Sequence, residues 1–137
     1  MKIGMKQGYK GSITEQISGA TDFRRVLYTG AFMQLVAMTL QPQEEIGAEV
    51  HEGHDQFFHV VTGTAKVVID DTIHAVTAGD MVIVPSGANH NVINTSEVEV
   101  VELYTIYGPP EHADKVVHQT KAVADSDDEH FDGTTTE

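Results

Sequence analysis

Glu49 and His51 stand two residues apart in EVH, Gln56 opens the apolar run QFFHVV, and His90 follows the tight segment PSGAN. On an extended strand, residues two apart point to one face, so Glu49 and His51 can act together. Four nitrogen and oxygen donors from three places in the chain can therefore converge on one ion. Imidazole mixed with carboxylate and amide oxygen suits a divalent transition metal: Mn or Fe first, with Zn, Ni or Co as alternatives. A single carboxylate would leave the ion net positive, able to polarise a substrate oxygen or to acidify a bound water. Around a six-coordinate ion, four protein ligands leave two positions open. An isolated pair of this kind is more simply a solvated loop beside a hydrogen-bonded core histidine; the case for a site rests on the wider spacing.

Those residues need strands to position them. Apolar runs at 23–28, 31–40, 48–51, 56–61, 65–69, 72–76, 81–84, 91–93 and 98–107 are separated by Gly, Asp and Pro punctuation. That pattern predicts an all-β antiparallel sandwich or barrel. Pro109-Pro110 stops the last strand, since proline cannot donate into a ladder. A short helix is expected over 122–130, followed by a frayed end. Three regions result: an N-terminal arm over 1–22 that can pair at a sheet edge, a barrel over 23–110 and an acidic C-terminal segment over 111–137.

Alternation within 98–107 separates Glu102 and Tyr104 from Leu103, Thr105 and Tyr107. If the Glu102 face is internal, Glu102 and Tyr104 are candidate catalytic groups, able to supply a proton or orient substrate. The reverse register, or a bulge, would turn them outward. His54 lies in the loop after His51 and either replaces Gln56 as a ligand or faces water. His59 has the parity of Phe57, so if Gln56 points inward His59 points away. The amide of Asn94 suits a structural hydrogen bond better than catalysis. Glu111, His112 and His118 belong to a segment that can fold back over an opening, although surface histidines in an acidic tail are the simpler account.

The string Gly79, Pro85, Gly87, His90, Asn94 resembles the second motif of the cupin superfamily without a gap. The family's first motif falls on Gln43, Glu49, His51, Gln56 and Gly63, where His51 and Gly63 keep the family residues. Glu49 stands for a histidine and Gln56 for a glutamate, so the carboxylate has moved from the third ligand position to the first and the donor charge is unchanged. The resemblance covers about residues 35–108. It implies a double-stranded β-helix, or jelly roll, with a metal held inside the barrel by Glu49, His51, Gln56 and His90. The whole chain is also similar to small single-domain bacterial and archaeal cupins.

Composition narrows the rest. Eight Lys and Arg against 21 Asp and Glu give a formal charge of −13, which repels nucleic acid and anionic lipid. With no cysteine, thiolate catalysis and cysteine-zinc sites are excluded. Neither a membrane-length apolar run nor a signal-peptide pattern is present, so a cytoplasmic setting is expected. The reading is a metal-dependent enzyme acting on a small molecule, by dioxygenase or by isomerase/decarboxylase chemistry, in a homodimer. A non-catalytic metal- or small-ligand-binding barrel is the alternative.

Overall fold

A computed structural model describes residues 4–137; positions 1–3 of the expected arm lie outside the described residues. The described residues form β1 (Arg24–Thr29), β2 (Gln34–Leu40), β3 (Glu49–Val50), β4 (Asp55–Thr62), β5 (Thr64–Ile69), β6 (Thr72–Thr77), β7 (Met81–Val84), β8 (Asn89–Asn94), β9 (Val101–Gly108) and β10 (Val117–His118). Two short helices, α1 (Ile13–Gln16) and α2 (Lys121–Ser126), flank them. The strands pair antiparallel in two sheets, ordered β10-β1-β2-β9-β4-β7 and β3-β8-β5-β6. This is the all-β jelly roll expected from the sequence.

Strand alternation sets what lies between the sheets. Phe58 and Val60 of β4, Leu103 of β9 and Met38 of β2 meet Val67 of β5 and Val92 of β8 in one buried cluster. Phe57 and His59 point to the opposite face of β4, where their neighbours across the ladder are Ile83 and Met81. Asn94 clasps the far end of the barrel. Its Nδ2 donates to the carbonyls of Leu40, Gln41 and Glu99 at 3.2, 3.0 and 2.8 Å, while its Oδ1 accepts from Ser96 N–H. Gly63 turns the chain at φ +90°, where a Cβ would run into the Val100 carbonyl.

Several boundaries differ from the sequence pattern, each for a local reason. The strand expected over 31–40 begins at Gln34, because Gly30 N–H bonds the Met33 carbonyl at 2.8 Å and closes a turn. The last long strand begins at Val101 rather than near Val98, because the Ser96 hydroxyl captures the N–H groups of Val98 and Glu99. Helix α2 starts on the Thr120 cap and stops before Asp127, shorter than the 122–130 expected. The C-terminal end, expected to fray, is tied down: Thr136 N–H donates to Thr29 O at 2.8 Å, and the Glu137 carboxylate accepts from the N–H groups of Gln7 and Gly8.

Candidate metal centre

The antiparallel ladder of β3 and β8 sets Glu49 directly opposite His90. His51 leaves β3 on the same side, and the loop after it is sewn to the turn before β8: Gly87 N–H donates to His51 O at 3.1 Å, and Gly53 N–H to the Ser86 hydroxyl at 2.8 Å. Gly87 takes φ +86°, a left-handed turn conformation that costs a glycine little. Ligand atoms of Glu49, His51 and His90 then lie within 4.8 Å of one another. His90 is buried, and the other two are half-buried.

Hydrogen bonds aim these groups. His90 Nδ1–H donates to the Ala88 carbonyl at 3.2 Å, which leaves the Nε2 lone pair free to coordinate. His51 Nε2 lies 2.8 Å from Glu49 Oε2. That bond raises the pKa of His51 above its ordinary 6.5, against the opposing effect of burial. Burial pushes Glu49 upward, but its bond to His51 and the charges of His51, Arg24 and His90 outweigh this and hold it below its ordinary 4.5. A dication would take the place of the proton between the two side chains.

Gln56 arrives from the other sheet. It is 3% exposed, and its Nε2 donates to Thr105 Oγ1 at 3.0 Å. Thr105 spends its own hydrogen on the Phe57 carbonyl at 2.8 Å, so it can only accept from Gln56. The amide orientation is thereby settled, and Oε1 is left buried with no hydrogen-bond partner. A buried orphan oxygen is costly in a folded protein and is what a bound cation would satisfy. Two imidazoles, one carboxylate and this amide oxygen are a suitable donor set for a divalent transition metal.

Glu102 and Tyr104 are not brought to this cluster. On β9, Val101, Leu103, Thr105 and Tyr107 are buried on the inner face, which turns Glu102 and Tyr104 to the outer one. Glu102 accepts hydrogen bonds there from Gly19 N–H and from the Thr62 hydroxyl, while Tyr104 packs its ring 5.0 Å from that of His59. The inward register belongs to Tyr107, whose ring lies 5.9 Å from His51 and opposite Gln56 across the β4–β9 ladder. Burial raises the Tyr107 phenol far above its ordinary value.

The C-terminal segment folds back over this end of the barrel. Gln34, buried in β2, holds it with both ends of its amide, donating to His112 O at 2.8 Å and accepting from His112 N–H at 2.9 Å. His112 Nδ1 then meets Glu129 Oε1 at 2.5 Å, and its Nε2 lies 3.3 Å from the Tyr107 hydroxyl. Glu111 Oε2 is 3.1 Å from His54 Nε2, and its Oε1 is 3.7 Å from His51 Nδ1. His54 Nδ1 also faces the Glu52 carbonyl, so both its ring nitrogens are engaged by oxygens and it does not join the cluster as arranged. Tyr107 is thus a neighbour of the site that local sequence pattern does not single out, whereas Glu111 and His112 belong to the segment read as able to fold back over an opening, and they do so. The double-proline stop followed by Glu-His was the available signal.

Comparison with known proteins agrees with this architecture. Residues 36–107 match the family model described as Cupin domain. The uncharacterized protein L612 of Acanthamoeba polyphaga mimivirus is 37% identical over 115 residues, 82% of this chain and 72% of that protein. Uncharacterized YrkC of Bacillus subtilis is 38% identical over 108 residues, 74% of this chain and 58% of its own length. The crystal structure of BH2720 from Bacillus halodurans aligns with TM-score 0.85 and 33% identity, covering 88% of this chain and 96% of that one. KdgF from Halomonas sp. shares the fold, at TM-score 0.58 and 19% identity over 63% of this chain and 76% of its own.

Proposed function

This chain belongs to the cupin family, and from that premise we propose that it is a metal-dependent enzyme acting on a small molecule. Glu49, His51, His90 and Gln56 hold the metal, Mn or Fe before Zn, Ni or Co. The observation that carries the reading is the coincidence of three clustered ligands with a fourth, buried oxygen that has no other partner. Bound there, the ion supplies Lewis-acid polarisation of a substrate oxygen.

The surrounding residues favour redox-neutral isomerisation or decarboxylation over a dioxygenase reaction. Tyr107 stays protonated at neutral pH and can donate its hydroxyl hydrogen, because burial disfavours the phenolate. Its neighbour His112 presents Nε2 as acceptor, since Nδ1–H is committed to Glu129. The Tyr107 hydroxyl can therefore hydrogen-bond to His112 Nε2, or turn to a substrate oxygen, while keeping its proton. One observation favours the non-catalytic alternative: Glu111 sits 3.7 Å from His51, near enough to close the site by a modest rotation.

We also place two copies together in solution. Met81 and Ile83 are 72% and 67% exposed on the outer face of the six-stranded sheet, in ladder contact with Phe57 and His59, and an apolar sheet face of this kind suits a twofold partner.

Metal content decides the central claim. Tag-free protein should carry about one equivalent of Mn or Fe, and His51→Ala and His90→Ala should each remove most of it. Undiminished content in both folded variants would reject the site. With metal confirmed, a panel of diketones, hydroxyketones and phenols assayed for oxygen uptake and for product separates the reaction classes: turnover without oxygen consumption is the expected result.

A further inference from the structure

Arg24 is 7% exposed, yet its guanidinium is not fully matched. Across the ladders it stands beside Met38 of β2 and His118 of β10, and Met38 in turn faces Leu103 of β9 within the core. Arg24 thus belongs to the inner face of the sheet that carries Gln56 and Tyr107. Nη1 donates to His118 Nδ1 at 3.1 Å, and His118 is fixed in that acceptor tautomer by donating from Nε2 to Asp127 at 2.9 Å. The Phe23 ring supports the plane, with Cζ 5.3 Å from its centroid. One end of the group is held, but Nε is buried with no hydrogen-bond partner.

Nε and Nη2 form the edge of a guanidinium that matches the two oxygens of a carboxylate. Every carboxylate around the site is committed elsewhere: Glu49 to His51, Glu129 to His112 and Glu111 to His54. Even so, the Arg24 charge is felt at Glu49, His51, Tyr107 and Glu129, which sets it within electrostatic reach of the metal cluster. A buried cation held at Nη1, backed by an aromatic ring and with its Nε unpaired is arranged for an anion that comes and goes.

We propose that the Nε–Nη2 edge of Arg24 binds the carboxylate of the substrate, so that the substrate is a small carboxylic acid with a further oxygen for the metal. This inference rests on Glu49, His51, Gln56 and His90 being the metal site. Arg24 fixes one end of the molecule, and the second oxygen falls to the ion. The net charge of −13 does not oppose this, since selection is made by the interior and not by the surface.

The chain has two arginines, so its Nε–H spectrum contains two arginine signals. Arg25, paired with Asp22 on the surface, serves as the reference. In metal-free protein at constant ionic strength, acetate should shift the Arg24 signal in a saturable way, and neutral acetamide should not. In protein loaded with Zn²⁺, a diamagnetic ion, lactate should produce the same shift at lower concentration and lactamide none. Arg24→Lys keeps the buried charge but loses the fork, and should weaken lactate about tenfold or more while metal content is retained. An Arg24 signal unmoved by acetate and by lactate, or unchanged lactate affinity in Arg24→Lys, overturns the inference. If the protein takes up no metal, the functional proposal fails separately, and the acetate titration of metal-free protein alone decides the role of Arg24.

Discussion

Replacing Gln56 by methionine separates a metal ligand from a structural amide. The side chains are close in length, so packing between the sheets changes little. In metal-free protein the substitution removes the bond from Nε2 to Thr105, worth about 1 kcal/mol, and also removes the orphan Oε1, whose burial costs about 1–3 kcal/mol. The terms oppose each other, so metal-free stability should fall by no more than about 1 kcal/mol and can rise. Metal-loaded protein behaves differently, because a thioether is a poor ligand for Mn²⁺. Loss of a ligand should weaken the metal at least as much as loss of an outer partner does, about 10–100-fold, or about 1.4–2.7 kcal/mol. Unfolding entropy for 137 residues amounts to about 0.3 kcal/mol per degree. At a fixed saturating Mn²⁺ concentration, the metal-induced rise in Tm should therefore shrink by about 5–9 °C, while the metal-free Tm moves by about 3 °C or less. Calorimetry of both proteins with and without Mn²⁺ measures all four values. A metal-induced rise equal to that of wild type removes Gln56 from the ligand set, and a metal-free loss above about 3 kcal/mol means that Oε1 was satisfied after all.

The bond between Glu49 and His51 makes metal binding depend on pH. His51 is raised above 6.5 and Glu49 lowered below 4.5 in the metal-free protein, so their pairing contributes fully between those ordinary values. That contribution is lost as pH rises through the folded pKa of His51, and again as pH falls through that of Glu49. Because Mn²⁺ must displace the His51 proton, the metal-induced rise in Tm should grow from pH 6 to about pH 8, with proton release on binding; a rise that is flat or declining over this range contradicts the assignment. The outer sheet face supplies a separate expectation. Wild type should be a dimer by light scattering at micromolar concentration, and Ile83→Asp should yield a monomer that still binds metal; a monomeric wild type removes the dimer.

Parts of the site were legible because they depend on local geometry. The spacing from Gly79 to Asn94 describes a turn that feeds a strand, and β8 presents His90 inward as that spacing requires. Strand parity likewise separated Gln56 and Phe58 from Phe57 and His59. On β9, a central strand between β2 and β4, parity separated Glu102 and Tyr104 from Leu103, Thr105 and Tyr107 but left open which set faces inward. The outer face is marked by long-range contacts: Glu102 accepts from Gly19, 83 positions away, and from the Thr62 hydroxyl, 40 positions away. The same limit hid Arg24, whose partner His118 is 94 positions away, and left the fold-back of Glu111 and His112 as one of two readings, since their place is set by the buried amide of Gln34. Read as composition, residues 111–137 are merely acidic. In the fold, Glu129 is half-buried: burial pushes its pKa up, and the bond to His112, the His112 charge, the Ala113 N–H and the Arg24 charge together outweigh this.

The exchange of residues at the first motif has a physical reason in these bonds. Thr105 gives its hydrogen to the Phe57 carbonyl and so turns only lone pairs toward position 56. A carboxylate there would meet an acceptor with an acceptor in a buried place, whereas an amide offers N–H to Thr105 and leaves one oxygen free for a cation. The negative charge that an amide omits is supplied by Glu49, opposite His90 and bonded to His51, where imidazole can answer it whether or not metal is present. With a dication bound, Glu49 and the Arg24 guanidinium would bring the three groups to two net positive charges, while Glu111 and Glu129 are already paired with His54 and His112. An acid bearing one carboxylate and one metal-bound oxygen meets both, and a neutral ligand would leave Arg24 without its partner.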